Sequence, residues 1–289
     1  FLVNGANGIG TGWSTSVPCF NYRDIITNIR SILKTGEPSK VLEPWYRGFN
    51  GYIKRVAGKN KYTIHGRYNL EGGNNIRITE LPMKWTLDYK AFLQKLLEKG
   101  EIENFTEHHD DYTVDFLITT DDSQMEKIKS TGIEKYFKLV GSIQMGNMVL
   151  FDENKRINIY ENVMDILLEH FKVRLHVYKL RKEYLIQDVK KSIILLSNKC
   201  RFIKCILDGS LELRNRKRIN IIQELENNGF DLIDDSYDYL LKMSFYNLTS
   251  EKIVESQSLL KLKETELEKL VNTTETNMWL NDLEILVHV

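Results

Sequence analysis

The chain has 289 residues, 40 basic and 40 acidic, and is 42% hydrophobic, which is enough for a sizeable core and about one to three domains. Balanced charge gives no general pull toward nucleic acid, so any such surface has to come from local clustering. No run approaches the about eighteen continuous apolar residues of a membrane span, so a soluble chain is expected, and Cys19, Cys200 and Cys205, with no CxxC pair, argue against a zinc site and fit a reducing intracellular compartment.

The first segment, Asn4 to Thr15, reads NGANGIGTGWST, with Gly5, Gly8, Gly10 and Gly12 around Ile9 and Trp13. Glycine has no side chain and accepts positive φ, so the segment can turn tightly and lie against a ligand or another backbone. The glycines lack the GxGxxG spacing of a dinucleotide site, and no lysine makes a Walker loop. On the residues alone, a structural turn and a functional loop both remain open.

Asn21 is a plausible cap for an amphipathic helix from Tyr22 to Leu33, which Gly36 and Pro38 end. After an aromatic loop at Pro44 to Gly51, alternating runs near Tyr52–Val56, Tyr62–Tyr68 and Ile76–Thr79, separated by glycine turns, predict one antiparallel meander. A helix is predicted from Thr86 to Glu98, a strand from Tyr112 to Thr119, a helix from Asp121 to Lys129, and a hairpin from Met145 to Ile159.

Beyond Asn162 the pattern lengthens. Val163 to Leu207 predicts one helix of roughly 65 Å at 1.5 Å per residue, reaching away from the core. Along it Ile186, Val189, Ile193, Leu196, Cys200, Ile203 and Leu207 form a heptad seam. A second helix, from about Ser250 to Val271, is expected to return antiparallel to it. Between them, Tyr239, Leu240, Met243, Phe245, Tyr246 and Leu248 are more apolar than a solvated tip requires, which points to an interface.

Several of these runs resemble the eukaryotic-type (type IIA) DNA topoisomerase II family. Asn4 to Ser14 resembles its NGxxGIGTGWS signature, Pro44 to Gly51 its PWYxGFxG element and Ile78 to Pro82 its ITELP. Ile221 to Phe230 resembles its IIxELExxGF, and Tyr237 to Met243 its YDYLLxM. The resemblance spans nearly the whole chain, which opens at Phe1 inside a motif with no initiator methionine or signal peptide. A piece of a longer protein is therefore expected, namely the C-terminal half of the DNA cleavage and re-ligation core.

The resemblance implies an α+β fold in four parts. These are the end of a winged-helix region (1–18), an antiparallel-sheet tower domain (19–160), a long antiparallel coiled-coil arm with return helices (161–207 and 250–289), and a small helical dimerisation tip forming an exit gate (208–249). It implies that Ile9 wedges between base pairs of double-stranded DNA and bends it, at an unstacking cost of a few kcal/mol. Gly8, Gly10, Thr11, Gly12, Trp13, Lys138 and Asn147 become DNA-binding candidates, and Tyr237, Tyr239, Leu240 and Met243 homodimer contacts. Asn7 departs from the acid often found at its position, and only Asp231 to Ser236 stands where relatives commonly carry a longer acidic insertion. A nuclear protein without membrane attachment is implied, active in chromosome segregation. The catalytic tyrosine and the sites for Mg2+ and ATP are expected upstream, leaving this piece without a nucleophile.

His108, His109, Asp110 and Asp111 imitate a metal site, but adjacent residues seldom all face one ion, so a solvated loop is expected. Lys54, Arg55, Lys59, Lys61, Arg67 and Arg77 could form a basic strip toward phosphate or simply solvate a sheet. Two rival functions remain: a noncatalytic DNA-binding scaffold dimerised by its coiled coil, and a coiled-coil interaction protein with a globular head.

Overall fold

The structure, a computed structural model, describes residues 1–83, 85, 88–110, 113–244, 246 and 249–287. It divides into two compact units, Phe1–Lys172 and Val173–Val289.

The first unit begins with a hairpin of β1 (Ala6–Gly10) and β2 (Trp13–Val17). Helix α1 (Tyr22–Thr35) follows, with the Asn21 side chain accepting from the Arg23 N–H and Gly36 in the left-handed conformation at its end. Both caps are as expected from the sequence. Its inner face buries Ile26, Ile29 and Ile32.

The single meander expected over residues 52–79 is instead two sheets. β3 (Tyr52–Arg55) and β4 (Lys61–His65) join β9 (Val140–Gln144) in one sheet. β5 (Arg67–Glu71) and β6 (Asn75–Glu80) join β8 (Phe116–Thr119) and the edge strand β7 (Asn104–Glu107) in the other, in the order β5-β6-β8-β7. The division falls at Gly66, in the middle of the run read as one strand. Its N–H turns to the Leu139 carbonyl, and a Cβ there would lie 2.3 Å from the Glu80 carbonyl oxygen, so only glycine lets the chain cross between sheets.

Over the four-stranded sheet lie α2 (Asp88–Glu98), α3 (Asp122–Thr131) and the short α4 (Ile133–Tyr136). Thr86 and Leu87, read as the start of α2, and Tyr112, read as the start of β8, lie outside the described residues. Asp121 and Gln124 form a reciprocal capping box at the start of α3. Ile76, Ile78, Leu93, Ile118, Ile128 and Phe137 are fully buried in the shared core, and Tyr89 donates its hydroxyl to the Phe137 carbonyl at 2.9 Å.

The predicted hairpin near 152–155 forms as β10 (Met148–Phe151) and β11 (Ile157–Tyr160). Its end is tied to the first turns of α5 (Val163–Leu207), where Glu169 accepts from the Tyr160 hydroxyl at 2.5 Å and from the Glu153 N–H at 3.0 Å.

Helix α5 has the bounds read from its periodicity and runs on into the second unit. There α6 (Arg218–Asn227) and α7 (Asp238–Leu241) precede α8 (Ser250–Asn272) and α9 (Glu275–Val287). The returning helices run antiparallel to α5. The Tyr178 hydroxyl donates to Asp282 at 2.6 Å, Lys182 pairs with Glu275 at 3.5 Å, and Cys200 bonds Ser256, so partner numbers fall as α5 advances. Val189, Cys200 and Ile203 of the heptad seam are buried; Leu207, where the helix stops, is exposed.

Candidate nucleic-acid interface

The glycine-rich segment is a strand pair rather than an irregular loop. Its register sets Asn7 opposite Ser16, Gly8 opposite Thr15, Ile9 opposite Ser14 and Gly10 opposite Trp13, leaving Thr11 and Gly12 to turn the chain. Gly12 takes φ 80°, a conformation that other residues adopt only with strain. Gly8 and Gly10 do not have positive φ, and a Cβ on either would meet only ordinary contacts of 3.6 and 3.8 Å. Their bareness is therefore not demanded by this chain's own packing. Ile9 is 95% exposed and Trp13 49%.

Opposed residues of an antiparallel pair share a face, so Asn7, Ile9, Ser14 and Ser16 line one side. Ser16 donates its hydroxyl to the Asn7 side chain at 2.8 Å. Ile9 is the apolar member of this face.

The structure brings Asn147 to the hairpin and leaves Lys138 elsewhere. Asn147 donates its side-chain amide to the Ser14 hydroxyl at 3.0 Å, and its carbonyl accepts from the Ser16 N–H at 2.7 Å. Lys138 precedes β9 with φ 51°, its ammonium 4.6 Å from the Phe92 ring centre and 5.9 Å from that of Trp85. It borders a separate groove with Pro82, Glu134, Lys135 and Val140.

The basic strip needs two corrections. Arg77 is held by Asp115 at 2.6 Å and Glu71 at 3.1 Å, which spends its charge inside the protein. The Arg77 hydrogen bonds in turn hold the Asp115 carboxyl below its ordinary range. Strand alternation also puts Lys54 and Lys61 on one face of their sheet and Arg55 on the other, with Arg67 on the second sheet. No single strip results.

The histidine-aspartate run is used locally. His108 meets Thr106 at 3.1 Å, His109 lies 3.6 Å from Glu107, and Asp110 accepts from the Thr113 backbone and hydroxyl; Asp111 lies outside the described residues. Among the described residues no group of three or more His, Cys, Asp or Glu could hold a metal ion.

Sequence reading missed a network on the outer face of the three-stranded sheet. His65 stacks on Tyr52 with ring centres 4.3 Å apart, and both hydrogen-bond Glu134 at 3.0 Å. Residues 69 and 82 apart in sequence give no local signal for this. Burial, aided by Glu134, raises the Tyr52 hydroxyl pKa, and burial likewise raises that of Tyr46, so neither is prepared as a nucleophile.

Among the tip candidates, Tyr237 and Leu240 are buried in the chain's own cluster with Phe202, Leu211, Ile221, Leu225 and Phe230. This local core gives a place to Leu240, whose apolar character in the sequence points to an interface, and to Tyr237, an interface candidate through the resemblance alone. Tyr239 and Met243 are half-buried at its edge, with the Tyr239 hydroxyl donating to the Asp231 carbonyl at 2.7 Å. Ile219 and Tyr246 remain 68% and 89% exposed, while Phe245 and Leu248 lie outside the described residues.

This mixed α and β fold is similar to a solved Plasmodium falciparum topoisomerase II DNA-binding, cleavage and re-ligation domain, with a TM-score of 0.90 and 38% identity over 98% of this chain and 42% of that one. The family model of the DNA gyrase/topoisomerase IV A-subunit matches residues 1–284. The chain belongs to that family. It is 36% identical to DNA topoisomerase 2 of Plasmodium falciparum (isolate K1 / Thailand) over 98% of its length, and 32% identical to that of Penicillium chrysogenum over 99%. It spans 23% and 20%, respectively, of these curated relatives.

Proposed function

We propose that this chain is part of a type II DNA topoisomerase, a nuclear, ATP-dependent enzyme that passes one duplex through a transient double-strand break. In this reading residues 1–18 end the winged-helix region, 19–160 are the tower under the bent duplex, 161–207 with 250–289 are the arm, and 208–249 are the exit gate. Ile9 is the wedge. The observation that carries the reading is an isoleucine almost wholly in solvent at the end of a rooted hairpin whose neighbours, Gly8 and Gly10, are bare for no internal reason. A wedge between base pairs needs such a greasy tip and a backbone that comes close to the duplex.

Thr11, Gly12 and Trp13 then lie against the same duplex. Lys138, outside the hairpin, contributes at most a phosphate contact. Second copies meet through the exposed rim of the tip, Ile219 and Tyr246 with Tyr239 and Met243, while Tyr237 and Leu240 support that rim from beneath. In this reading the Mg2+ and ATP sites lie outside this chain; among its described residues no group of three or more His, Cys, Asp or Glu could hold a metal ion.

Duplexes labelled at both ends report the bend by fluorescence transfer. Ile9→Ala should lose most of the bend while oligomeric state is unchanged; an unaltered bend would sink the wedge.

A further inference from the structure

An isolated two-stranded hairpin is marginal in water, and this one leaves Gly8 to Ser14 exposed. A tip that pries base pairs apart receives an equal push in return. Packing at the tip does not resist it, so the root must.

We propose that Asn147 is a positioning residue for the wedge, clamping the strand opposite Ile9 rather than contacting DNA. Its amide holds Ser14, the residue directly across from Ile9, while its carbonyl holds the next alternate residue, Ser16. Two positions on, the Val149 N–H donates to the Thr15 hydroxyl at 3.1 Å. Asn147 lies between β9 and β10, and Met145 of the same turn donates its N–H to the Asn60 carbonyl at 3.1 Å. The clamp is thus founded on two sheets, and a side chain already engaged with Ser14 has less to offer a phosphate.

The proposal rests on the wedge reading of Ile9, and the bend assay on the full-length protein separates the two. Asn147→Leu keeps the backbone bond and removes the amide; it should lower the ratio of bent to straight duplex about five-fold, the size of one net hydrogen bond. Ser14→Ala should do the same, and the double variant should fall no further than either single one, as expected for two ends of one contact. A duplex with a mismatched step at the wedge position, which is cheaper to open, should restore bending to Asn147→Leu. The urea midpoint should fall by no more than the worth of one hydrogen bond, and rescue by the mismatched duplex is the readout that a merely structural role would not move.

If Ile9→Ala abolishes the bend but Asn147→Leu retains it, the clamp is overturned and the wedge stands. If Asn147→Leu weakens binding while Ser14→Ala does not, and the salt dependence falls, Asn147 touches DNA directly and the clamp is again overturned. An unchanged bend in Ile9→Ala removes both.

Discussion

The β1–β2 hairpin and the α6–α7 cluster each carry apolar residues that a solvated turn does not need. In the cluster the chain folds back on itself: Leu240 is 1% exposed, and the Tyr237 hydroxyl donates to the Phe230 carbonyl at 3.1 Å. At the tip of the hairpin no such cluster surrounds Ile9, which stays in solvent. Excess apolarity at a turn is thus ambiguous until local geometry shows whether the chain can satisfy it alone. Where it can, the residue supports stability; where it cannot, as at Ile9, the residue stays exposed, and the proposed wedge gives it a use.

Substitutions at the two places should separate these roles. Leu240→Ala opens a cavity in the tip core and should cost about 2–5 kcal/mol in urea unfolding followed by circular dichroism. Ile9→Ala removes a larger fraction of exposed apolar surface, yet should change stability by no more than about 0.5 kcal/mol. Comparable losses at both positions would break the contrast.

Gly66→Ala asks whether the crossing between sheets is as tight as it looks. With a carbonyl oxygen 2.3 Å from the new methyl, backbone must shift, and a cost of about 1–3 kcal/mol is expected in the same assay. The outward rim of the tip is tested by Tyr239→Asp with Met243→Asp. Sedimentation should show dimer association weakened on the order of ten-fold or more, whereas a full-strength dimer would confine these residues to the local core.

The smallest effect concerns Asp115. Its folded pKa is depressed by Arg77, so its contribution is present above the unfolded carboxylate value of about 4 and is lost as pH falls through the lower folded value. Asp115→Asn should flatten that acid limb of the stability curve and leave the slope above about pH 5 unchanged.

Elements with long, regular periodicity were legible in the sequence. The bounds of α5 follow from its apolar spacing, and α1 and α3 begin at side chains able to cap them. The hairpin at Ile9 was visible as a glycine-rich motif, but not as paired strands, because glycine and serine alternate without an apolar rhythm. β7 is a four-residue edge with only partial burial, and β9 carries a glycine at its second position, so neither has a clear two-residue period. The break at Gly66 depends on a carbonyl from Glu80, and the Asn147–Ser14 contact on residues 133 apart. Such meetings are set by tertiary packing, beyond the reach of local pattern.

The most direct measurement places 2-aminopurine in a duplex at the step facing Ile9 and records its fluorescence on binding. Unstacking by the isoleucine should brighten the probe in the wild-type complex and leave it dim with Ile9→Ala at saturating protein. Equal brightness in both complexes would contradict the wedge.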